Sequence, residues 1–246
     1  MRSLRLNANQ LKLIAIIAMT VDHLTWTVFP GLQPAWYVVG LHVIGRLTAP
    51  IMWFFIAEGC HYTHSMGRYL ARLFGFALIS HFAYDFAFGI PCAPLSTGVF
   101  NQTSVMWSLA WAAAMIALCR RSDLPRWVKT GALLGASLIA FPSDWSSIAV
   151  MCPFYLYAHR GSFRLQARDI VIWSFIYAAV YFLFIDHLYG CLQMLTCLSL
   201  PLLSRYNGQR GRWRGMKWLF YIYYPAHLFL IGLLRLALHG NIATIF

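Results

Sequence analysis

The chain has 246 residues, of which 60% are hydrophobic and only 11% charged, and its formal net charge is +12. Apolar residues recur in long blocks, which excludes an ordinary soluble domain and points to one polytopic membrane domain over 1–246. In a soluble chain the charge would suggest nucleic acid; here it is read against the membrane, and no nucleic-acid partner is expected.

Apolar segments fall at 11–29, 36–59, 69–89, 102–119, 126–141, 146–158, 169–186, 188–204 and 216–238. The expected fold is therefore all-α, a transmembrane bundle of about nine spanning helices. The segments 126–141 and 146–158 are short for a full span and are expected to be tilted, bent or partly re-entrant. Turn signals separate the blocks, among them "FPGLQP", "GIPCAPLSTG", "RSDLPR", "FPSDW" and "NGQRGRWRG".

Every alternate connection is basic. Arg2, Arg5 and Lys12 open the chain; Arg68 and Arg72 follow the second segment, and Arg120, Arg121, Arg126 and Lys129 the fourth. Arg160, Arg164 and Arg168 follow the sixth, and Arg205, Arg210, Arg212, Arg214 and Lys217 the eighth, whereas 30–35, 90–101, 142–145 and 187 hold no Lys or Arg. The positive-inside rule then puts the N-terminus inside and the C-terminus outside. The first segment is too long, and too charged, for a cleaved signal peptide.

Orientation fixes depth. Asp22 and His23 lie roughly 16 Å from the inner end of the first helix, Arg46 roughly 15 Å down the second from outside, and His227 about 16 Å up the ninth. In the third helix His81 lies about 18 Å and Asp85 about 24 Å from the inner end. Burying an Asp or Arg near the bilayer centre costs about 2.5–3.5 kcal/mol, so these groups are expected to meet each other or water inside the bundle. An Asp22–Arg46 ion pair is the easiest geometry, because neighbouring helix residues point about 100° apart and Asp22 cannot readily reach His23. Such a pair is also what a purely structural fastener looks like. Glu58 lies near the inner end of the second helix, where an interface carboxylate is the alternative to a substrate contact. His61 and His64 are read as surface anchors, and Asp144 and Asp186 as solvated. The six cysteines show neither metal-ligand spacing nor a close redox pair, so no metal is expected. Cys92 and Cys191 both fall on the outer side, a placement that permits a disulfide without supporting one.

The segments "LKLIAIIAMTVDHL", "VIGRLTAPIMWFFIAEG", "RYLARLFGFALISHFAYDFAFG", the Asn in "GVFNQT" and the terminal "YIYYPAHLFLIGLL" occur in an order and spacing that resemble the TraX family of conjugative pilin acetylases. These in turn resemble, at a distance, multispanning acyltransferases that use acetyl-CoA. The resemblance covers the first third of the chain and the last helix; 120–210 match in hydropathy alone. One departure is His81, where relatives commonly carry an acidic residue. The resemblance implies an enzyme of the bacterial inner membrane. It would acetylate the N-terminal amine of a membrane-embedded pilin subunit, with acetyl-CoA as cytoplasmic co-substrate and the lipid bilayer around it. His23 would be the base, Asp22 would orient or balance charge, and His227 would protonate the leaving thiolate. Arg46, Glu58, His81, Asp85, Asn101 and Tyr224 would contact substrate, with Arg46 a candidate for the oxyanion, and Arg68 and Arg72 at the inner mouth would bind CoA phosphates. O-acetylation of a cell-surface glycan, a small proton-coupled transporter and an assembly scaffold are the alternatives; the transporter is disfavoured by the odd helix count and the lack of a repeat.

Overall fold

The computed structural model describes residues 5–93 and 98–244. Residues 1–4, Arg2 among them, 94–97 and 245–246 lie outside the described residues. The elements are α1 (Ala8–Val28), α2 (Trp36–Gly45), α3 (Thr48–Tyr62), α4 (Met66–Phe88), α5 (Val105–Cys119), α6 (Arg126–Ala140), α7 (Ile148–Ala158), α8 (Phe163–Phe184), α9 (His187–Met194), a 3-10 turn (Leu195–Ser199), α10 (Leu200–Leu203) and α11 (Met216–His239). With α2 and α3 taken as one run, and α9 to α10 as another, the described residues form nine helical runs matching the nine apolar segments. The described residues contain no strand, only the isolated bridges Leu6 to Tyr206 and Thr103 to Ser143.

Four of these runs, Ala8–Val28, Trp36–Tyr62, Phe163–Phe184 and Met216–His239, are long and apolar enough to cross a membrane. Of the others, α6 and α7 are short, as 126–141 and 146–158 were expected to be, and α5 departs from the expectation of a full span. The 15 residues of α5 and of α6 reach only about 22 Å each at 1.5 Å per residue, and the 11 of α7 about 16 Å, against a hydrocarbon core of about 30 Å. Boundaries moved where polar residues are helical. The α1 helix starts at Ala8 because Asn7 and Gln10 close a reciprocal capping box over its first turn. Similarly α8 starts at Phe163, its first two turns carrying Arg164, Gln166, Arg168 and Asp169, which hydropathy does not register. The run 36–62 breaks at Arg46 and Leu47 because Pro50 has no N–H to give the carbonyl of Arg46.

The chain forms two compact units. The first holds the chain up to Met52, Ala87–Gly89 and the chain from Ser174 onward. Within it α1 packs against α2 and α11, burying Leu11, Ala15, Ala18 and Met19 at helical spacing. Leu13, Ile17, Leu24 and Val28 remain exposed on the same helix. A helix that is apolar all round fits a lipid environment, since water would penalise that outer face. The second unit holds Trp53–Phe86 and Ile90–Trp173. There α5 packs against α6 and α7, and the run Ala112, Ala113 with Ala136 and Ala140 lets the backbones come close around Met115 and Val150.

Candidate functional site

In the first unit, Asp22 is held from two directions. Arg46 Nη2 donates to both carboxylate oxygens at 2.9 Å each, and His42 Nδ1 lies 2.8 Å from Oδ1. His42 and Arg46 are four residues apart, so α2 presents them on one face. The Arg46 guanidinium is fixed further by Nε to the His42 carbonyl at 3.2 Å and Nη1 to Gln193 Oε1 at 2.9 Å. Gly45 makes this approach possible, since a Cβ there would collide with the Asp22 carboxylate. An ionised carboxylate only accepts hydrogen bonds, so His42 Nδ1 is the donor to Asp22. His42 is fully buried between the Trp26 and Tyr189 rings, with centroids 4.7 and 5.4 Å away.

The neighbouring His23 turns to a different partner. Its Nδ1 lies 2.9 Å from His227 Nε2, and His227 Nδ1 lies 3.0 Å from the Tyr223 carbonyl oxygen. A carbonyl cannot donate, so His227 carries a proton on Nδ1 and, as a neutral imidazole, accepts on Nε2. His23 must then donate from Nδ1, which leaves the lone pair on its Nε2. The two imidazoles are nearly parallel, 5° apart, with the Tyr223 ring stacked on His227 at 5.0 Å. Phe88 and Tyr224 set their edges against His23 at 5.6 and 6.4 Å, and the Tyr223 hydroxyl is bonded to Thr20 Oγ1 at 2.7 Å. Both His23 and His227 are buried, and every side chain in this chain of contacts has a fixed neighbour.

The second unit holds Glu58, Arg68, Arg72, His81, Asp85 and Asn101, and pairs two of the carboxylates with bases of its own. His81 Nδ1 lies 3.3 Å from Asp85 Oδ2, one helical turn on, and 3.0 Å from Thr103 Oγ1. Glu58 is buried and receives Arg160 Nε at 2.7 Å, while Arg160 also donates to the Tyr62 hydroxyl at 3.0 Å. This makes Glu58 a fastener between α3 and the turn after α7. Asn101 is buried with φ 53, a left-handed conformation that asparagine tolerates better than most residues. Arg68 is exposed, and the Arg72 guanidinium lies 5.9 Å from the Tyr69 ring centroid. Asp186 is not simply solvated, since its carboxylate caps α9 by accepting from Tyr189 N at 2.9 Å. All six cysteines are free thiols, Cys92 and Cys191 included.

Sequence reasoning brought Asp22 to Arg46 and placed His23 and His227 at one depth, but it missed His42, Gln193 and the Tyr223 carbonyl. His42 had a legible signal in its spacing of four from Arg46. A backbone carbonyl leaves none.

No solved structure matches the chain. A curated protein of Dichelobacter nodosus described as "Probable fimbrial assembly protein FimC, serogroup H1" is 31% identical over 244 residues, covering 94% of this chain and 96% of that protein. The family described as TraX protein matches residues 7–235, which include every residue of the Asp22 and His23 networks. The chain therefore belongs to the TraX family.

Proposed function

We propose that the protein is a multi-pass enzyme of the bacterial inner membrane that moves an acetyl group from cytoplasmic acetyl-CoA to the N-terminal amine of a pilin subunit. The family and the fimbrial-assembly description of the relative support a role in pilus biogenesis. The observation that carries the chemistry is the directed relay from the Tyr223 carbonyl through His227 to His23, which leaves one buried imidazole nitrogen as a base.

An N-terminal amine has an ordinary pKa of about 7.7–8.0 and attacks a thioester only after losing a proton. The ammonium proton goes to solvent; His23 Nε2 takes the second proton as the neutral amine nitrogen forms its bond to the acetyl carbon. The C–S bond of the tetrahedral intermediate then breaks, and the proton returns from His23 to the leaving thiolate, giving the amide and free CoA. His227, with both ring nitrogens engaged, holds His23 in the right tautomer and is a positioning residue in this reading. Asp22 and Arg46 neutralise each other beside the reacting atoms, and the alternation of basic connections sets the N-terminus inside and the C-terminus outside.

The test is mass spectrometry of a pilin co-expressed with the protein, read for the added acetyl group. His23→Gln should leave the protein inserted and abundant while lowering acetyl transfer about a hundredfold or more. Normal pilin acetylation by that variant would refute the assignment. Thiol release from acetyl-CoA with no pilin modified would move the acceptor to a cell-surface glycan.

A further inference from the structure

Building on the acetyl-CoA reading, we infer that the depression between the start of α1 and the connection before α11 binds the phosphorylated adenosine half of coenzyme A, through Arg210 and Arg212 with Trp213 as the stacking surface. The depression has a volume of about 650 Å³ and is lined by Asn7, Asn9, Gln10, Arg210, Arg212 and Trp213 among others, all in the first unit. Volumes of several hundred cubic ångströms are what small-molecule and cofactor sites have.

The connection is built against α1 rather than draped over it. Leu6 N donates to the Arg205 carbonyl at 2.8 Å, Ala8 N to Gln209 O at 2.9 Å, Asn9 N to Arg210 O at 3.2 Å and Asn9 Nδ2 to Trp213 O at 3.0 Å. Gly211, at φ 90, passes so close that a Cβ would sit 2.8 Å from both Asn7 Oδ1 and Asn9 Nδ2. Gly215 leaves room for the Trp213 ring, because a Cβ there would sit 2.8 Å from the indole Nε1. Trp213 is thus positioned, yet 51% exposed.

Charge makes the site selective for an anion. Lys12 lies within electrostatic reach of Arg210, and Arg212 lines the same depression. The sequence carries no Asp or Glu in 1–21 or 187–246, so no carboxylate from either flanking segment offsets these cations. Arg210 spends one donor on the Arg214 carbonyl at 3.1 Å and keeps the rest for a ligand. Coenzyme A combines three phosphate groups with a purine. Arginine forks suit the phosphates, an exposed indole suits the purine face, and the Asn9 and Gln10 amides suit its edge.

The experiment measures equilibrium binding of coenzyme A to the full-length protein in phosphatidylcholine nanodiscs and in discs containing phosphatidylglycerol, with adenosine 3′,5′-bisphosphate as competitor. Arg210→Gln with Arg212→Gln should weaken coenzyme A binding about a hundredfold, and Trp213→Ala about tenfold, with the bisphosphate displacing coenzyme A from the intact protein. Arg205, Arg214 and Lys217 remain in the connection, so orientation is kept. Unchanged coenzyme A binding in the double variant, with loss on Arg68→Gln with Arg72→Gln, would overturn the site and leave the acetyl-CoA reading intact. Unchanged coenzyme A binding with loss of retained phosphatidylglycerol would assign the depression to a lipid headgroup and likewise overturn it. No coenzyme A binding by the intact protein would overturn both.

Discussion

The relay from Tyr223 through His227 to His23 makes a quantitative demand on His227. Replacing it with Phe keeps a flat ring in the slot between Tyr223 and His23 but removes the acceptor that lies 2.9 Å from His23 Nδ1. A buried donor left without its partner costs about 1–3 kcal/mol, which at about 1.36 kcal/mol per decade lowers acetyl transfer roughly 5- to 150-fold. His23→Gln, which removes the base itself, should cost about 100- to 10,000-fold. Because His227 acts only through His23, the double variant His23→Gln with His227→Phe should be no slower than His23→Gln alone. The assay is initial-rate acetylation of pilin in proteoliposomes with acetyl-CoA, repeated with an acetyl arylthioester whose thiolate leaves without a proton. The orienting role predicts the same fractional loss for His227→Phe with both donors. Losses that multiply in the double variant, together with near-normal rates on the arylthioester, would refute it and restore His227 as the acid for the thiolate.

Two further outcomes follow from the same geometry. Asp22→Asn or Arg46→Gln alone leaves one buried charge uncompensated and should cost about 3–5 kcal/mol, seen as lost expression and a lower unfolding temperature in detergent. The two together should recover most of that stability without recovering acetyl transfer, and full activity would show that the pair only fastens helices. If the basic connections set orientation, a reporter fused after residue 246 is active only outside the cytoplasm and one fused near 165 only inside, and reversal of either overturns the nine-segment topology.

Hydropathy alone placed both ends of eight of the nine helical runs to within three residues, because in lipid-facing segments composition and helix formation have the same cause. It could not see that Asn7 caps α1, or that the polar turns Arg164 to Asp169 belong to α8. It registered 126–141 and 146–158 as short, but not that α5, which starts only at Val105, also falls short of a full span. At the site, depth counting brought Asp22 to Arg46 and His23 to the level of His227. Counting along an axis says nothing about which way a side chain turns, so the Asp85 contact of His81 and the Arg160 contact of Glu58 stayed hidden behind a single polar slab. The hydrogen-bond direction at His23 depends on the Tyr223 carbonyl, a group that every residue carries and no sequence pattern marks.

The partners of the buried polar groups are also separated in time. Asp22 and Arg46 are 24 residues apart and belong to consecutive helices, so the hairpin of α1 and α2 carries its carboxylate and its guanidinium together and would enter a membrane already neutral. His23 and His227 are 204 residues apart, and Arg46 and Gln193 are 147 apart. At about 5–20 residues per second, His227 emerges roughly ten to forty seconds after Arg46. The charge that would obstruct insertion is thus neutralised early by a local contact. The tautomer that would make His23 a base is fixed only when α11 arrives, so a chain stalled before α11 would lack a competent base.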